Sequence, residues 1–166
     1  MMDVYLVRHA IAHERNSTRW PDDAKRPLTT AGIRKFRKAA AGLARFVPKT
    51  AAIFTSPYVR ARETAAILAE SAKFRNAVEA VELVPGKPPR AVFDLLRGGR
   101  RNAVVLVGHE PDLSAWLSAA LAVEPSQIRS EFKKGGAACI RFEKEVGPGS
   151  ATLVWLLPPR VLRAIR

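Results

Sequence analysis

The chain has 166 residues, which suits one domain with a substantial hydrophobic core. Its single cysteine, Cys139, excludes an internal disulfide and a cysteine-rich metal site, and no apolar run approaches the ~20 residues that span a bilayer. The net charge of +13 favours acidic partners, but the basic residues are scattered and no nucleic-acid-binding motif is present, which disfavours nucleic acid as the main partner.

The first predicted strand is followed directly by a basic residue and a histidine. Residues 4–7 form an apolar run with the length and β-branched content of a buried parallel strand, and Arg8 and His9 come next. The stretch 14–27 is polar and shows no periodicity, which predicts a long loop. A loop of that length in a compact domain is often functional.

Two helices and a short strand are predicted after this loop. Thr29 or Thr30 can cap the first helix, whose apolar face predicts that it continues until Pro48 stops it. Residues 51–55 are predicted to form the second strand. The dipeptide Ser56-Pro57 then predicts the N-cap and first turn of the second helix.

The second half of the chain continues the alternation of strands and helices. The predicted elements are a third strand over 77–84, a short helix over 91–96, a strand over 104–107, a helix that Asp112 opens and caps, strands over 137–142 and 152–157, and a short basic helical tail. Cys139 lies in one of these strands, where an inert buried thiol is expected. With no internal repeat or linker, the pattern predicts a single α/β domain over residues 1–166.

Two histidines each follow an apolar run, His9 after residues 4–7 and His109 after residues 104–107. In an open α/β sheet the carboxyl ends of parallel strands line the ligand crevice. The two imidazoles are therefore predicted to share one rim, with Arg8 beside one of them. His13 is interpreted as a structural or surface histidine, because its strand-to-loop context offers no helix that would pair it with His9 as a metal ligand.

A histidine beside arginines suits phosphoryl transfer. A neutral imidazole nitrogen can attack phosphorus, and the planar guanidinium group binds phosphoryl oxygens in pairs. Arg8 supplies one such group, and the helix that follows Ser56-Pro57 supplies another. Arg60 and Arg62 lie about 200° apart around that helix, so only one of them is expected to face the crevice.

Four segments of the chain resemble the motifs of the histidine phosphatase superfamily, in order and across nearly the whole length. They are Val7-Arg8-His9-Ala10, Pro27-Leu28-Thr29-Thr30-Ala31-Gly32, Ser56-Pro57 with Arg60-Ala61 and Thr64, and Gly108-His109-Glu110-Pro111. The short length without inserted segments resembles the small bacterial branch, the SixA-type phosphohistidine phosphatases. This resemblance implies a three-layer α/β/α sandwich with a mostly parallel central sheet.

The resemblance also implies roles for individual residues. His9 matches the nucleophile that becomes phosphorylated, and Arg8, Arg60 and His109 match the phosphate-binding residues. His109 is expected to be cationic or to donate toward the phosphoryl oxygens. The Ser-Pro-x-x-Arg spacing of the family selects Arg60 over Arg62.

The residues leave the proton donor to the leaving group open. Glu82 is the candidate general acid, whereas Glu79 is expected to be solvated and Asp112 to cap a helix; Glu110 lies beside the second histidine. SixA-type relatives resemble enzymes that have no dedicated carboxylate acid. Ala10 stands where the family usually has glycine, and it would be strained if the turn required a positive φ.

The sequence thus predicts a phosphatase that needs neither metal nor cofactor, because no side chains have metal-ligand spacing. A cytoplasmic location is expected, since the N-terminus lacks a signal-peptide pattern. The expected substrate is phosphohistidine in a signalling protein. A small-molecule phosphomonoesterase or a sugar-phosphate mutase is the alternative within enzymes, and a noncatalytic basic binding module is the alternative outside them.

Overall fold

The computed structural model describes residues 1–74, 76–124 and 128–165. Its six strands are β1 (Met2–Arg8), β2 (Ala52–Thr55), β3 (Val78–Glu79), β4 (Ala103–Gly108), β5 (Ala137–Phe142) and β6 (Ala151–Leu157). Its α-helices are α1 (Thr30–Leu43), α2 (Val59–Ala72), α3 (Pro89–Arg97), α4 (Asp112–Leu121) and α5 (Pro159–Leu162), and short 3-10 helices lie at Asp23–Lys25 and Val81–Leu83. None of the helices in these ranges is long and apolar enough to cross a membrane.

The six strands form one sheet in the order β3-β2-β4-β1-β5-β6. Strands β1 to β4 are parallel, and β5 and β6 extend the sheet with antiparallel pairings. Tyr5 and Val7 pack with α1, α2 and α5 on one face, while Val4 and Leu6 pack with α3 and α4 on the other. This alternation follows the two-residue period of a strand. The predicted three-layer α/β/α sandwich is confirmed.

The register of the central strands brings three chain segments to one edge of the sheet. Arg8 on β1 pairs with Gly108 on β4, and the His9 amide donates to the Gly108 carbonyl at 3.0 Å. The Ser56 amide donates to the Val107 carbonyl at 3.0 Å. The residues that follow β1, β2 and β4 therefore lie next to one another at the carboxyl-terminal edge of the sheet.

The third strand is much shorter than predicted. Only Val78–Glu79 pairs with β2, and residues 81–83 form a 3-10 helix that carries Glu82. The Leu83 amide donates to the carbonyl three residues earlier, at 3.1 Å. Glu79 therefore lies in the strand, whereas Glu82 lies in the 3-10 helix that follows it.

The prediction that Ser56-Pro57 caps the second helix is wrong. Helix α2 begins at Val59, and its N-cap residue, Tyr58, makes no side-chain capping bond. The Ser56 hydroxyl instead lies 2.9 Å from Nε2 of His109. Ser56, a residue type that favours helix N-caps, thus contacts a histidine at the edge of the sheet instead of capping a helix.

The other helix boundaries agree with the predictions in part. Thr29 caps α1 as predicted, accepting from the Gly32 amide at 2.9 Å, but the helix ends at Leu43, about one turn earlier than expected. Asp112 begins α4 without capping it. Its carboxylate accepts from the Gly86 amide at 3.2 Å and so ties the preceding loop to this helix.

Cys139 lies buried in β5, as predicted. Burial, together with the charge of Asp3, raises the pKa of this thiol to about 12. The thiol therefore stays protonated at neutral pH, which is the form that neither attacks nor binds metal.

Candidate active site

His9 is the first residue beyond β1 and is 6% exposed. Its Nδ1 lies 2.7 Å from the Ala10 carbonyl oxygen. Because a carbonyl oxygen only accepts, Nδ1 carries the proton. Burial lowers the pKa of His9 to about 3, and the positive charges of Arg60, Arg8 and Arg26 lower it further. The hydrogen bond to Ala10 acts in the opposite direction but is outweighed. The ring is therefore neutral near pH 7 and Nε2 keeps its lone pair.

His109 lies next to His9, with ring centroids 5.2 Å apart. Its Nε2 is 2.9 Å from the Ser56 hydroxyl, and the Tyr58 ring contacts it edge-on with centroids 5.2 Å apart. Burial lowers the pKa of His109 to about 3, and the neighbouring His9 adds to this effect. Its Nδ1 is buried and has no hydrogen-bond partner within the described ranges. The two histidines predicted to share one rim do so.

Arg60 enters the site from the first turn of α2 and is 3% exposed. Its guanidinium lies 4.9 Å from the centre of the Tyr58 ring, and its two terminal nitrogens donate to Asp23. Burial lowers the pKa of Arg60, although Asp23 opposes the shift. Arg62, by contrast, is exposed and pairs with Glu79 at 3.2 Å. The structure therefore brings Arg60, and not Arg62, to the histidines.

Arg8 is half-buried at the end of β1, and its Nη1 donates to the Phe132 carbonyl at 2.5 Å. The Glu110 carboxylate accepts from the Phe132 amide at 2.7 Å and from the Ser114 hydroxyl at 2.7 Å. Glu110 thus fixes the segment that contacts Arg8. Its oxygens are engaged in structural hydrogen bonds, which disfavours it as a proton donor.

Three buried nitrogens have no hydrogen-bond partner among the described residues, and all three belong to residues whose charge or ring acts on His9. They are Nε of Arg8, Nε of Arg60 and Nδ1 of His109, out of seven such side-chain atoms in the described part of the chain. Buried polar atoms are almost always hydrogen-bonded in folded proteins. A cluster of unpartnered nitrogens on two cations and a histidine is typical of a site that receives an anion.

The loop 14–27 contributes two site residues that the sequence analysis did not identify. Arg26 is 9% exposed and donates to the Asp23 carboxylate at 2.8 Å and to the His13 carbonyl at 2.6 Å. Partial burial acts to raise the pKa of Asp23, but the hydrogen bond from Arg26 and the charge of Arg60 together lower it to about 2. The sequence shows only two opposite charges three residues apart, and this spacing does not reveal their contact with Arg60.

Ala10 fits its turn without strain. Among non-glycine residues of the described ranges, only Lys73 has a positive φ. The Ala10 amide donates to the Thr64 hydroxyl at 3.0 Å, and that hydroxyl donates to the Arg60 carbonyl at 2.7 Å. Thr64 therefore links the turn after His9 to the first turn of α2.

Glu82 lies in the same narrow cavity as His109 and is half-buried. Asp112 also lines this cavity, but its carboxylate is held by a backbone amide. Glu79 is exposed and paired with an arginine, and Glu110 is engaged as described above. Glu82 thus shares a cavity with His109 and makes no side-chain hydrogen bond to another described residue, so it stays the candidate acid.

Metal binding finds no support in the arrangement of side chains. No group of three or more His, Cys, Asp or Glu residues within 1–74, 76–124 and 128–165 could hold a metal ion. His13 packs against Trp20, with ring centroids 5.9 Å apart, and forms no pair with His9.

Comparison with known proteins identifies the family. The model of the histidine phosphatase superfamily, branch 1, matches residues 4–86. The chain belongs to this superfamily. An uncharacterized protein of Picosynechococcus sp. is 33% identical over 153 residues, which cover 84% of this chain and 85% of that protein.

Solved structures of other histidine phosphatases share the fold. The protein histidine phosphatase SixA complexed with tungstate matches with a TM-score of 0.80 and 24% identity, over 97% of this chain and 99% of that one. A candidate phosphohistidine phosphatase SixA from Agrobacterium tumefaciens matches with a TM-score of 0.74 and 25% identity, over 95% and 98%. The predicted resemblance to the superfamily and its SixA-type branch is confirmed. Membership of this superfamily supports a phosphatase activity.

Proposed function

We propose that this histidine phosphatase removes the phosphoryl group from phosphohistidine in a protein, with His9 as the nucleophile. The observation that carries the proposal is the state of His9, a neutral ring whose Nδ1 proton is held by the Ala10 carbonyl. Around it lie the buried, unpartnered nitrogens of Arg8, Arg60 and His109. A fixed nucleophile within a set of phosphate-binding groups is the arrangement that phosphoryl transfer requires.

In the first step, the lone pair on Nε2 of His9 attacks phosphorus, and the bond between phosphorus and the leaving nitrogen breaks. The leaving imidazole keeps that electron pair and takes up a proton from water, so it departs as a neutral ring. The His9 ring gains positive charge as its bond to phosphorus forms, and the Ala10 carbonyl, 2.7 Å from Nδ1, stabilises that charge.

Arg8, Arg60 and His109 hold the phosphoryl oxygens while charge redistributes. The Ser56 hydroxyl accepts from the Tyr58 amide at 3.4 Å, so its own proton is available to Nε2 of His109. That tautomer leaves Nδ1–H of His109 as a donor to the phosphoryl group. In the second step water attacks phosphorus, the bond to His9 breaks, and inorganic phosphate forms.

The leaving group determines which substrate this site serves best. An alkoxide is strongly basic and needs a well-placed acid, whereas an imidazole can leave as a neutral, weakly basic group near neutral pH. Among Glu79, Glu82, Glu110 and Asp112, only the half-buried Glu82 both lines the cavity of His109 and lacks a side-chain partner among the described residues. The likeness to SixA phosphohistidine phosphatases supports phosphohistidine as the substrate.

A small-molecule phosphomonoesterase is the second candidate, and the position of Glu82 favours it. A carboxylic acid in the same cavity as His109 could protonate an alkoxide leaving group. In that case sugar phosphates would be hydrolysed faster than phosphohistidine.

The test compares kcat/KM for a phosphohistidine peptide, an aryl phosphate and a sugar phosphate, and traps the phosphoenzyme by rapid quenching. The proposal expects phosphohistidine to be the best substrate, and an acid-labile, base-stable phosphate on the wild type that is absent from His9→Ala. Wild-type turnover of the sugar phosphate above that of phosphohistidine would favour the second candidate. Full activity of folded His9→Ala would refute both.

A further inference from the structure

A groove of about 220 Å³ begins at the residues that follow the proposed nucleophile. Residues 10–11, Phe36 of α1 and Gly135 of the turn before β5 are among the residues that line it. The Gly135 amide donates to the carbonyls of Arg8 and His9, at 3.2 and 3.1 Å. The groove therefore adjoins the backbone that carries the proposed nucleophile, although none of the four phosphate-site side chains lines it.

Three cations from different parts of the fold line this groove. Lys35 comes from α1, Lys134 from the turn before β5, and Arg163 from the residue after α5. All three side chains are exposed, and none of them makes an ion pair or hydrogen bond with another described residue. No aspartate or glutamate lines the groove, and Arg160 extends the positive charge into the adjacent recess.

We infer that this groove binds an acidic segment of the phosphoprotein substrate, next to its phosphohistidine. The inference rests on the proposed function, because the groove guides a substrate into the site that contains His9. Unpaired like charges beside one another repel, and an anionic chain relieves that repulsion. The half-buried ring of Pro159 gives the groove an apolar surface that suits the aliphatic parts of a polypeptide.

A polypeptide fits this groove better than a nucleic acid does. Proteins that bind single strands combine cations with exposed aromatic rings on which the bases stack. Phe36 is the aromatic residue that lines this groove, and it is 2% exposed. The groove therefore offers charge without a stacking surface.

Peptides that differ only beside the phosphohistidine provide the test. Three phosphohistidine peptides carry acidic, neutral or basic flanking residues, and kcat/KM is measured for each at low and high salt. Wild type is expected to prefer the acidic peptide over the neutral one by roughly tenfold at low salt, as electrostatic steering allows, and to lose the preference at high salt.

Charge-reversal variants test whether the preference for the acidic peptide arises from the groove. Lys35→Glu and Lys134→Glu are each expected to reduce the acidic preference severalfold, and the double variant to remove it. Lys144→Glu is the matched control, since Lys144 is exposed beyond the opposite end of β5, where Phe142 pairs with Met2. Turnover of an aryl phosphate is expected to stay unchanged in all of these variants, because none of the substituted residues belongs to the phosphate site.

The possible failures are distinguishable. Two outcomes would overturn the inference about the groove and leave the proposed function intact. One is an acidic preference that Lys144→Glu loses as fully as the groove variants do. The other is a wild type that hydrolyses phosphohistidine peptides without any acidic preference. If no phosphohistidine peptide is hydrolysed, the proposed function fails. The affinity of the groove for acidic peptides is then tested separately, with an unphosphorylated fluorescent acidic peptide. Tighter binding of wild type than of the double variant supports the inference; equal binding, or stronger groove-dependent binding of oligothymidylate, overturns it.

Discussion

Both terminal nitrogens of Arg60 donate hydrogen bonds to Asp23, Nη1 to its carbonyl oxygen at 2.8 Å and Nη2 to its carboxylate at 3.0 Å. One acceptor is a backbone carbonyl and the other is a charged carboxylate of the same residue. The loop that carries Asp23 therefore fixes the plane of the guanidinium. The Nε of Arg60 is left buried and unpartnered. The loop thus orients the cation that we assign to phosphate binding.

We predict that Arg60→Ala weakens vanadate binding and lowers kcat/KM far more than Arg62→Ala does. Loss of one preorganised charged contact in a buried site costs about 2–4 kcal/mol at the transition state, which is roughly 30- to 1000-fold in rate. Arg62 is the matched control, because it is exposed and only pairs with Glu79. Equal losses in the two variants would mean that Arg60 has no special role.

The Asp23 carboxylate gives a second prediction, which concerns stability. Its pKa is lowered in the folded state from 3.8 to about 2, so folding favours the ionised form. The stabilisation is therefore complete above pH ~4 and is lost as pH falls toward 2. We expect Asp23→Asn to lower the free energy of unfolding at pH 7, and the difference from wild type to shrink below pH 4. Urea unfolding of both proteins across this range measures it; a difference independent of pH would contradict the assignment.

The overall fold and the position of the two histidines could be predicted from the sequence. Each apolar run has a strong strand pattern, and parallel strands that end at one edge place His9 and His109 together. The third strand was predicted wrongly, because a run of apolar residues around Glu79 and Glu82 satisfies strand and 3-10 patterns over so short a length.

The residues that hold the site in place could not be predicted. Asp23 and Arg26 lie in a loop without periodicity, so only the folded chain shows that they meet Arg60. Ser56 matches a helix-capping signal, and its contact with His109 joins two residues that are 53 positions apart in sequence. Local patterns predict elements, whereas such contacts arise from how the elements pack.

The buried histidines predict how stability depends on pH. Burial lowers the pKa of His9 and His109 from 6.5 to about 3, so the unfolded chain binds more protons than the folded one between these values. The two histidines therefore do not destabilise the folded state above pH 6.5, and on acidification each lowers the free energy of unfolding by up to about 1.4 kcal/mol per pH unit. Urea unfolding at pH 7.5 to 4.5 measures the slope, and His109→Gln is expected to make it shallower. An unchanged slope in this variant would show that His109 already titrates normally in the folded state.

The side chain of Glu82 decides between the two candidate substrates. If phosphohistidine is the substrate, the departing imidazole needs no carboxylic acid, and Glu82→Gln should leave kcat/KM for a phosphohistidine peptide within about twofold of wild type. Alkyl phosphates should be poor substrates of both proteins, with aryl phosphates between the two classes.

Glu79→Gln is the matched control for this substitution. Glu79 is exposed and lies outside the cavity that Glu82 shares with His109, so the same change of charge there should affect no substrate. General acid catalysis contributes roughly 10²–10⁴-fold to a rate. If alkyl phosphates were the best substrates and Glu82→Gln alone reduced their turnover by that amount, Glu82 would be the proton donor and the enzyme a phosphomonoesterase. A loss of phosphohistidine turnover of that size in Glu82→Gln would instead show that the imidazole leaving group also requires this acid.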